Sequence, residues 1–227
     1  MKSLIVFLLI LTPYLFAQSG RIATIEEKTG GIVISPIGQN VPGFSHSSEQ
    51  TESLNLLPGW PQTMPVHGFF KPTRGVALAD IDNDDTLEVV ASSKNFINVY
   101  RYDGTLMWSR TLINVAQYAP SVADVDNDGW LEIAQTTREL TSGGRVYLMD
   151  HNGNDLPGWP VSFSNHNFAC SATLADVDGD SLMEVIFGER AYPVGYVHCL
   201  KLDGTELGGS WPVAIDHVPA VTAAVGD

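Results

Sequence analysis

Three copies of a short acidic segment constrain this chain more than any other feature of its sequence. They read DIDNDDTLE from Asp80, DVDNDGWLE from Asp124 and DVDGDSLME from Asp176, and Asp227 stands where a fourth copy would begin. The copies recur about every 50 residues, a period typical of proteins built from repeated supersecondary units. We therefore predict a repeat protein rather than one continuous globular core.

Four of the five tryptophans follow the same period. Trp60, Trp108, Trp159 and Trp211 are spaced by about 50 residues, and each precedes the next acidic segment by a similar distance. Because side chains at one phase of a repeat fill the contact between neighbouring units, we predict that these four pack between units rather than stack on sugars. Trp130 lies inside the second acidic segment and is the better candidate for an exposed contact.

The residues between these markers are typical of short β-strands joined by turns. In the first repeat, GVALAD leads into the acidic segment, LEVVAS and FINVYRY follow, and Asp103-Gly104 turns the chain into TLMWSR. Alternating apolar and polar residues, β-branched side chains and a DG turn indicate a β-meander. No long amphipathic helical pattern follows the N-terminus, which favours an all-β fold.

Four short strands in about 50 residues match one blade of a β-propeller. The sequence thus predicts an all-β fold, a partial β-propeller of about three four-stranded blades over residues 58–227. Residues 18–57 are predicted to form a leader or linker with one strand at GIVIS. A propeller closes with typically about 4–8 blades, so we expect this chain to be the N-terminal fragment of a longer protein, truncated in its fourth repeat.

The acidic segments have the pattern of cation-binding loops, here named loop 1 (residues 80–88), loop 2 (124–132) and loop 3 (176–184). Carboxylates at positions 1, 3 and 5 converge, a backbone carbonyl at position 7 adds a ligand, and the glutamate at position 9 closes the shell. Hard oxygen ligands in this number suit Ca²⁺, which takes about 6–8 oxygens. The predicted ligands are Asp80, Asp82, Asp84, Thr86 and Glu88 in loop 1, Asp124, Asp126, Asp128, Trp130 and Glu132 in loop 2, and Asp176, Asp178, Asp180, Leu182 and Glu184 in loop 3.

Position 6 distinguishes the three loops, because a glycine there commonly supplies a left-handed turn. Only loop 2 has one, Gly129. Asp85 tolerates that conformation and Ser181 does so less well, so we expect loop 2 to be the best formed and loop 3 to be weaker or adjusted in its backbone.

An EF-hand is the nearest alternative to these loops, and the sequence disfavours it. An EF-hand needs an acid at position 12, where these loops have Ala91, Gln135 and Phe187. It also needs flanking helices where strands are predicted here.

The distribution of charge fits the same prediction. The chain has 26 acidic and 12 basic residues, a formal net charge of −14, and the loops hold the acidic excess. Four carboxylates in a tight loop repel one another without a cation, so folding of the loop and metal occupancy should be coupled. A chain of this acidity is not expected to bind nucleic acid or anionic membranes.

The N-terminus has the pattern of an export signal. Lys2 supplies the positive end, Leu4 to Leu11 is apolar, and Ala17 precedes the expected cleavage site. We predict a signal peptide over residues 1–17 and a mature protein that is secreted or held at the cell surface without membrane insertion. Export would allow Cys170 and Cys199 to form a disulfide, and two buried thiols are an equally weighted alternative.

The three loops with their flanking strands resemble FG-GAP or VCBS repeats, the units of the β-propeller head of integrin α-subunits. The segments that carry the resemblance are LADIDNDDTLEVV, VADVDNDGWLEIA and LADVDGDSLMEVIFG, and it covers residues 58–227. It implies that the loops bind calcium and that the propeller mediates adhesion or ligand recognition, with an extracellular protein or carbohydrate as partner. The Phe-Gly pair occurs only as Phe187-Gly188, and Gly-Ala-Pro is absent, so the integrin version of the motif is incomplete.

The sequence contains no convincing catalytic set. GxSxG, HExxH and nucleotide-binding glycine patterns are absent, so we expect a binding module and not an enzyme. Two enzyme alternatives stay open, a calcium-dependent polysaccharide lyase and a quinoprotein-like dehydrogenase, each with catalytic residues beyond the fragment. The histidines are scattered without metal-ligand spacing: His46, His67, His151, His166, His198 and His217.

Overall fold

The chain divides into two compact units, Met1–Leu57 and Pro58–Asp227. The computed structural model describes residues 23–28, 31–36, 57–68, 74–138, 143–163, 167–168, 170–190, 194–216 and 222–225. The signal peptide predicted over residues 1–17 lies outside them. Within the described ranges, no helical segment has the length and apolarity needed to cross a membrane.

The first unit contains two strands that pair antiparallel, β1 (Ala23–Lys28) and β2 (Gly31–Pro36). The strand predicted at GIVIS is confirmed as β2. β1 was not predicted, because its sequence ATIEEK is dominated by charged residues and lacks a clear apolar alternation.

The second unit is built from three antiparallel sheets of consecutive strands, so the predicted three four-stranded blades are confirmed. In blade 3 two short strands, β11 and β12, both pair with β13 and together occupy one edge. Blade 1 consists of β3 (Val76–Ala79), β4 (Glu88–Ser93), β5 (Phe96–Tyr100) and β6 (Leu106–Thr111). Blade 2 consists of β7 (Ser121–Ala123), β8 (Glu132–Thr137), β9 (Gly144–Met149) and β10 (Val161–Phe163). Blade 3 consists of β11 (Asn167–Phe168), β12 (Thr173–Ala175), β13 (Glu184–Arg190), β14 (Gly195–Leu200) and β15 (Val213–Ile215).

Two apolar cores lie between the blades, and strand alternation decides which side chain enters which core. Successive side chains of a strand point to opposite faces of the sheet. In β8, Ile133 belongs to the core shared with blade 1, whereas Ala134 belongs to the core shared with blade 3. In β9, Tyr147 and Leu148 divide in the same way. Both faces of blade 2 are therefore buried, and each blade is stabilised chiefly by its neighbours.

The periodic tryptophans join each blade to the next. The indole N–H of Trp108 donates to the carbonyl of His151 at 3.0 Å, and that of Trp159 donates to the carbonyl of Leu202 at 2.7 Å. Trp60 makes the same contact with Tyr102 at 2.8 Å. Each acceptor lies in the turn between the third and fourth strands of the following blade. The predicted packing between units is confirmed for Trp108 and Trp159, and Trp60, which precedes blade 1, makes the same bond to that blade.

Glycine is needed before two of these tryptophans because the backbone of the next turn comes close. A Cβ on Gly59 would lie 1.8 Å from the carbonyl oxygen of Asp103, and one on Gly158 would lie 2.0 Å from that of Asp203. Each Gly-Trp pair is therefore fitted against an Asp-Gly turn of the neighbouring blade.

We predict that Trp159→Ala lowers the free energy of unfolding by about 3–5 kcal/mol, the usual cost of removing a buried aromatic side chain. Trp159 is 7% exposed and its N–H is bonded. Trp130→Ala is the matched control, since Trp130 is 37% exposed, and should cost about 1 kcal/mol or less. Urea unfolding followed by circular dichroism measures both, and equal losses would contradict the packing role.

Cys170 and Cys199 are both buried, and no disulfide joins them. The sulfur of Cys170 accepts a hydrogen bond from the backbone N–H of Gly188 at 3.3 Å. Burial raises the pKa of the Cys199 thiol to about 12, so that thiol is neutral. The sequence left open a disulfide or two buried thiols, and the structure has two buried thiols.

His198 on β14 is buried between two glutamates. Its Nε2 lies 2.9 Å from Oε2 of Glu189, and its Nδ1 contacts Oε1 of Glu206. The ring of Phe187 stacks on the imidazole with centroids 5.1 Å apart. Burial lowers the pKa of His198, but the hydrogen bonds and charges of the two glutamates outweigh it, so the pKa is raised above 6.5. A doubly protonated imidazolium satisfies both carboxylates.

This arrangement predicts that blade 3 loses stability at alkaline pH. A raised histidine pKa gives a stabilising contribution that is complete below 6.5 and is lost as pH rises through the folded-state value. The difference in unfolding free energy between wild type and His198→Gln should therefore shrink from about pH 6 to about pH 9. Urea titrations at several pH values measure it, and a constant difference would show that His198 is not charged in the folded state.

Candidate metal centre

The three acidic loops join the first strand of each blade to the second. Loop 1 connects β3 to β4, loop 2 connects β7 to β8, and loop 3 connects β12 to β13. In a four-stranded antiparallel blade this connection lies at the same end as the turn between strands three and four. The loops and the Asp-Gly turns therefore share one edge of the blades, and Arg101 of such a turn pairs with Asp82 at 3.3 Å.

In each loop the carboxylates at positions 1, 3 and 9 come together. One oxygen from each of the three residues lies within 4.8 Å of the other two. Oxygens on one Ca²⁺ are up to about 5 Å apart, twice the usual metal–oxygen distance, so one ion can reach all three. The clusters are Asp80, Asp82 and Glu88; Asp124, Asp126 and Glu132; and Asp176, Asp178 and Glu184.

The aspartate at position 1 organises the backbone of its own loop. In loop 1, the N–H groups of Asp84 and Asp85 donate to the two oxygens of Asp80 at 3.0 and 2.9 Å. Asp124 accepts the same pair of bonds in loop 2, from Asp128 and Gly129 at 3.1 Å each. The first aspartate therefore fixes the turn as well as offering a ligand oxygen, a role that sequence analysis did not assign to it.

Loop 3 differs slightly in this respect. Asp176 accepts hydrogen bonds from Gly179 at position 4, at 2.7 Å, and from Ser181 at position 6, at 3.0 Å. Ser181 adopts the left-handed conformation, with φ 75°, although serine favours it less than glycine. Position 6 of loop 3 thus keeps the conformation and the hydrogen bond of the other loops, and the difference in bonding lies at position 4. A weaker loop 3 stays a prediction.

The glutamate at position 9 links the loop to the sheet. Glu88, Glu132 and Glu184 are the first residues of β4, β8 and β13, and they are 0%, 4% and 3% exposed. In each, Oε2 accepts the backbone N–H of position 2, at 2.9, 2.9 and 2.8 Å. One oxygen is thus bonded to the protein while the carboxylate remains in the cluster.

Two buried oxygens in loop 1 test whether a cation fits there. Among the described residues, Oδ1 of Asp82 and Oε1 of Glu88 are buried without a hydrogen-bond partner. A buried carboxylate oxygen without a partner is costly, and a bound cation would satisfy both atoms. The all-oxygen donor set and these two atoms fit a hard divalent cation.

The position 5 carboxylates are turned elsewhere. Oδ1 of Asp84 accepts the N–H and the hydroxyl of Thr86, at 2.8 and 2.5 Å. Asp128 and Asp180 each accept the N–H of position 7, in Trp130 and Leu182, at 2.8 Å. The three-oxygen clusters do not include these aspartates. Their ligand role, and that of the position 7 carbonyls, stays a prediction.

The family model of the FG-GAP-like repeat matches this chain twice, over residues 80–135 and 124–187. Residues 80–187 of this chain are FG-GAP-like repeats. Each match begins at the first aspartate of a loop and runs through a blade into the next loop. The resemblance inferred from the sequence is therefore confirmed for loops 1 and 2 with their following strands and for loop 3.

Solved structures similar to this chain include BBS1N, in a complex with ARL6DN soaked with lead, at 16% identity and a TM-score of 0.48. That match covers 76% of this chain and 54% of BBS1N, so the chain spans about half the length of BBS1N. The V. cholerae biofilm matrix protein Bap1 matches at 20% identity and a TM-score of 0.33, over 63% of this chain and 28% of Bap1. None of the curated proteins compared with the chain matches it.

Burial raises the pKa of the position 9 glutamates of the FG-GAP loops. For Glu132 it is raised to about 7; burial is the largest cause, the N–H of Val125 opposes it, and the loop 2 aspartates add to it. The pKa values of Glu88 and Glu184 are raised for the same reasons. Without a cation these groups resist ionisation, so a cation and a proton compete for the same site.

We predict that the cation-free protein loses stability as pH rises. A glutamate whose pKa is raised from 4.5 to about 7 contributes a stabilisation that is complete below 4.5 and is lost as pH rises through about 7. In EDTA, the urea concentration at the unfolding midpoint should decrease when the pH is raised from about 5 to about 8. Glu132→Gln should make this decrease smaller. Asp85→Asn, which removes the same charge from an exposed side chain, should leave it unchanged. An identical fall in Glu132→Gln would disprove the assignment.

Proposed function

We propose that this chain is an extracellular Ca²⁺-binding propeller module that recognises a protein or carbohydrate partner and performs no catalysis. The observation that carries the calcium part is the repeated three-carboxylate cluster with buried, unpartnered oxygens in loop 1. The FG-GAP-like repeats support the same ion. The oxygen-only donors and the irregular geometry of the loops suit Ca²⁺ better than Mg²⁺, which demands near-ideal octahedral coordination.

Export supports this choice of ion. The signal-peptide pattern of residues 1–17 would deliver the protein to a compartment where calcium is abundant. Extracellular modules bind calcium with dissociation constants of about 0.1–1 mM, so sites with few charged ligands suffice there. Inside a cell the same loops would remain largely without the ion.

Calcium would supply positive charge at the centre of each carboxylate cluster. The chain's own residues do the rest: position 1 holds the turn, and position 9 fastens it to the second strand. With the repulsion among the carboxylates removed, the loop edge of the blades would be held in one conformation. A rigid edge binds a partner with a smaller loss of entropy than a mobile one.

The loop edge also carries the exposed aromatic contact that the sequence suggested. Trp130 of loop 2 stacks on the ring of His151, with centroids 4.1 Å apart and an interplanar angle of 21°. Because Trp130 occupies position 7, an ordered loop 2 fixes this pair at the surface. We propose this edge as the face that meets a partner, since exposed aromatics on rigid supports suit both proteins and sugars.

We propose a non-catalytic role because the clustered carboxylates accept hydrogen bonds from the backbone of their own loops. Each position 1 aspartate and each position 9 glutamate bonds the loop backbone, which leaves neither placed as an acid–base pair around a substrate. The buried histidine of blade 3 is enclosed by two glutamates and two phenylalanines.

We expect calorimetric titration of the full chain with CaCl₂ to approach three equivalents per chain, one for each cluster. Asp82→Asn should remove one equivalent, because Asp82 offers an oxygen to the loop 1 cluster. Asp85→Asn is the control: it removes the same charge from the same loop, Asp85 lies outside the cluster, and asparagine tolerates its φ of 67°. Absence of binding by folded wild-type protein would refute the proposed function.

A further inference from the structure

Neighbouring loops are joined by an asparagine at position 4. The side-chain amide of Asn83 in loop 1 donates to the carbonyl of Gly129 in loop 2 at 3.2 Å. The amide of Asn127 in loop 2 donates to the carbonyl of Ser181 in loop 3 at 2.5 Å. The same contact thus occurs twice, each time from position 4 of one loop to position 6 of the next.

The donor of each contact lies between two acidic positions. Asn83 stands between Asp82 and Asp84, and it adopts a left-handed conformation with φ 57°. Asn127 does the same between Asp126 and Asp128, with φ 62°. The cluster includes position 3, and the N–H of position 5 donates to the aspartate at position 1, so an ordered cluster fixes the direction of the amide between them.

The acceptor carbonyl belongs to the peptide that positions the rest of the next loop. In loop 2, the N–H of Gly129 donates to Asp124 at 3.1 Å, and the following N–H, of Trp130, donates to Asp128 at 2.8 Å. The carbonyl between these two N–H groups is the one that Asn83 holds. Ser181 and Leu182 repeat the arrangement in loop 3.

We propose that these asparagines couple the loops, so that a cation bound in one loop raises the affinity of the next. This inference rests on the proposed calcium binding. A loop loses conformational entropy when a cation binds and orders it. If the asparagine of the preceding loop already holds its position 6 peptide, the loop loses less entropy on binding its own cation, and its affinity is higher. By linkage the effect is reciprocal between the two loops.

Direct repulsion between the bound cations opposes this coupling, but dissolved salt screens the repulsion. The Debye length is about 8 Å at physiological ionic strength, and the loops are exposed at the edge of the blades. The hydrogen bond is not screened in this way, so positive coupling should dominate near physiological salt.

Trp130 makes loop 2 separately measurable. Position 7 is a tryptophan in loop 2, whereas it is Thr86 in loop 1 and Leu182 in loop 3. Bound Tb³⁺ luminesces when a nearby indole is excited, so Tb³⁺ titration reports occupancy of loop 2, and competition by Ca²⁺ gives its calcium affinity. Loss of the signal in Trp130→Phe confirms its origin.

The test is a double-mutant cycle on loop 1 read at loop 2. Asn83→Gly removes the amide while keeping the backbone conformation, since loop 3 has Gly179 at this position with φ 81°. We expect it to lower the Ca²⁺ and Tb³⁺ affinity of loop 2 by about two- to ten-fold, the range of one hydrogen bond. Disabling loop 1 with Asp80→Asn and Asp82→Asn should also weaken loop 2, and Asn83→Gly should then add nothing.

Asn114→Gly is the matched control. Asn114 is also left-handed, with φ 71°, and donates to a carbonyl, that of Gly143 at 3.1 Å, but it lies outside the loops. It should leave the affinity of loop 2 unchanged. An unchanged affinity in Asn83→Gly, an equal loss in Asn114→Gly, or additive losses in the cycle would overturn the coupling. No binding of either ion by wild type would instead refute the calcium function itself.

Discussion

The buried glutamate that opens the second strand of each blade is the constraint on which the acidic edge depends. Glu88, Glu132 and Glu184 are almost fully buried, and a carboxylate in such a place must be protonated, bonded or paired with a cation. One oxygen is satisfied by the N–H of position 2. The aspartates that cluster with each glutamate add negative charge, so protonation or a cation stabilises the group, and the chemistry of the loop follows from the burial of this glutamate.

Two kinds of contact join the blades, and they respond differently to charge. The tryptophan N–H bonds run from one blade to a backbone carbonyl of the next and involve no ionisable group. The asparagine bonds run between acidic loops, where the geometry depends on how the carboxylates are held. The first kind contains no group that a cation or a proton would bind, whereas the second, in the coupling proposed here, transmits the state of a loop from one blade to its neighbour.

The period of the acidic segments and tryptophans was enough to predict the blades and most of their strands, because each depends on local sequence. The acidic pattern also predicted that positions 1, 3 and 9 of each loop come together, while the ligand role of positions 5 and 7 stays a prediction. Strand β1 was missed, since half of its residues are charged and it lacks the run of β-branched residues that marks β2. The glutamate pair around His198 could not be foreseen, because it depends on the register that places Glu189 and Glu206 on either side of β14. The links from Asn83 and Asn127 were missed for the same reason: position 4 carries no ligand signal, and its partner lies in another blade.

His151 joins the interface between blades 1 and 2 to loop 2. Its carbonyl accepts the N–H of Trp108 from blade 1, and its ring stacks on Trp130 of loop 2. A change in the conformation of loop 2 therefore reaches the interface between blades 1 and 2 through one residue. Loops 1 and 2 each place one side chain in an apolar core, Ile81 and Val125, and most of the other buried core side chains lie on strands. The sheets therefore keep most of their packing when a loop relaxes. A cation bound in the loops, as proposed, would therefore change the edge that carries the loops and turns more than the sheets beneath it.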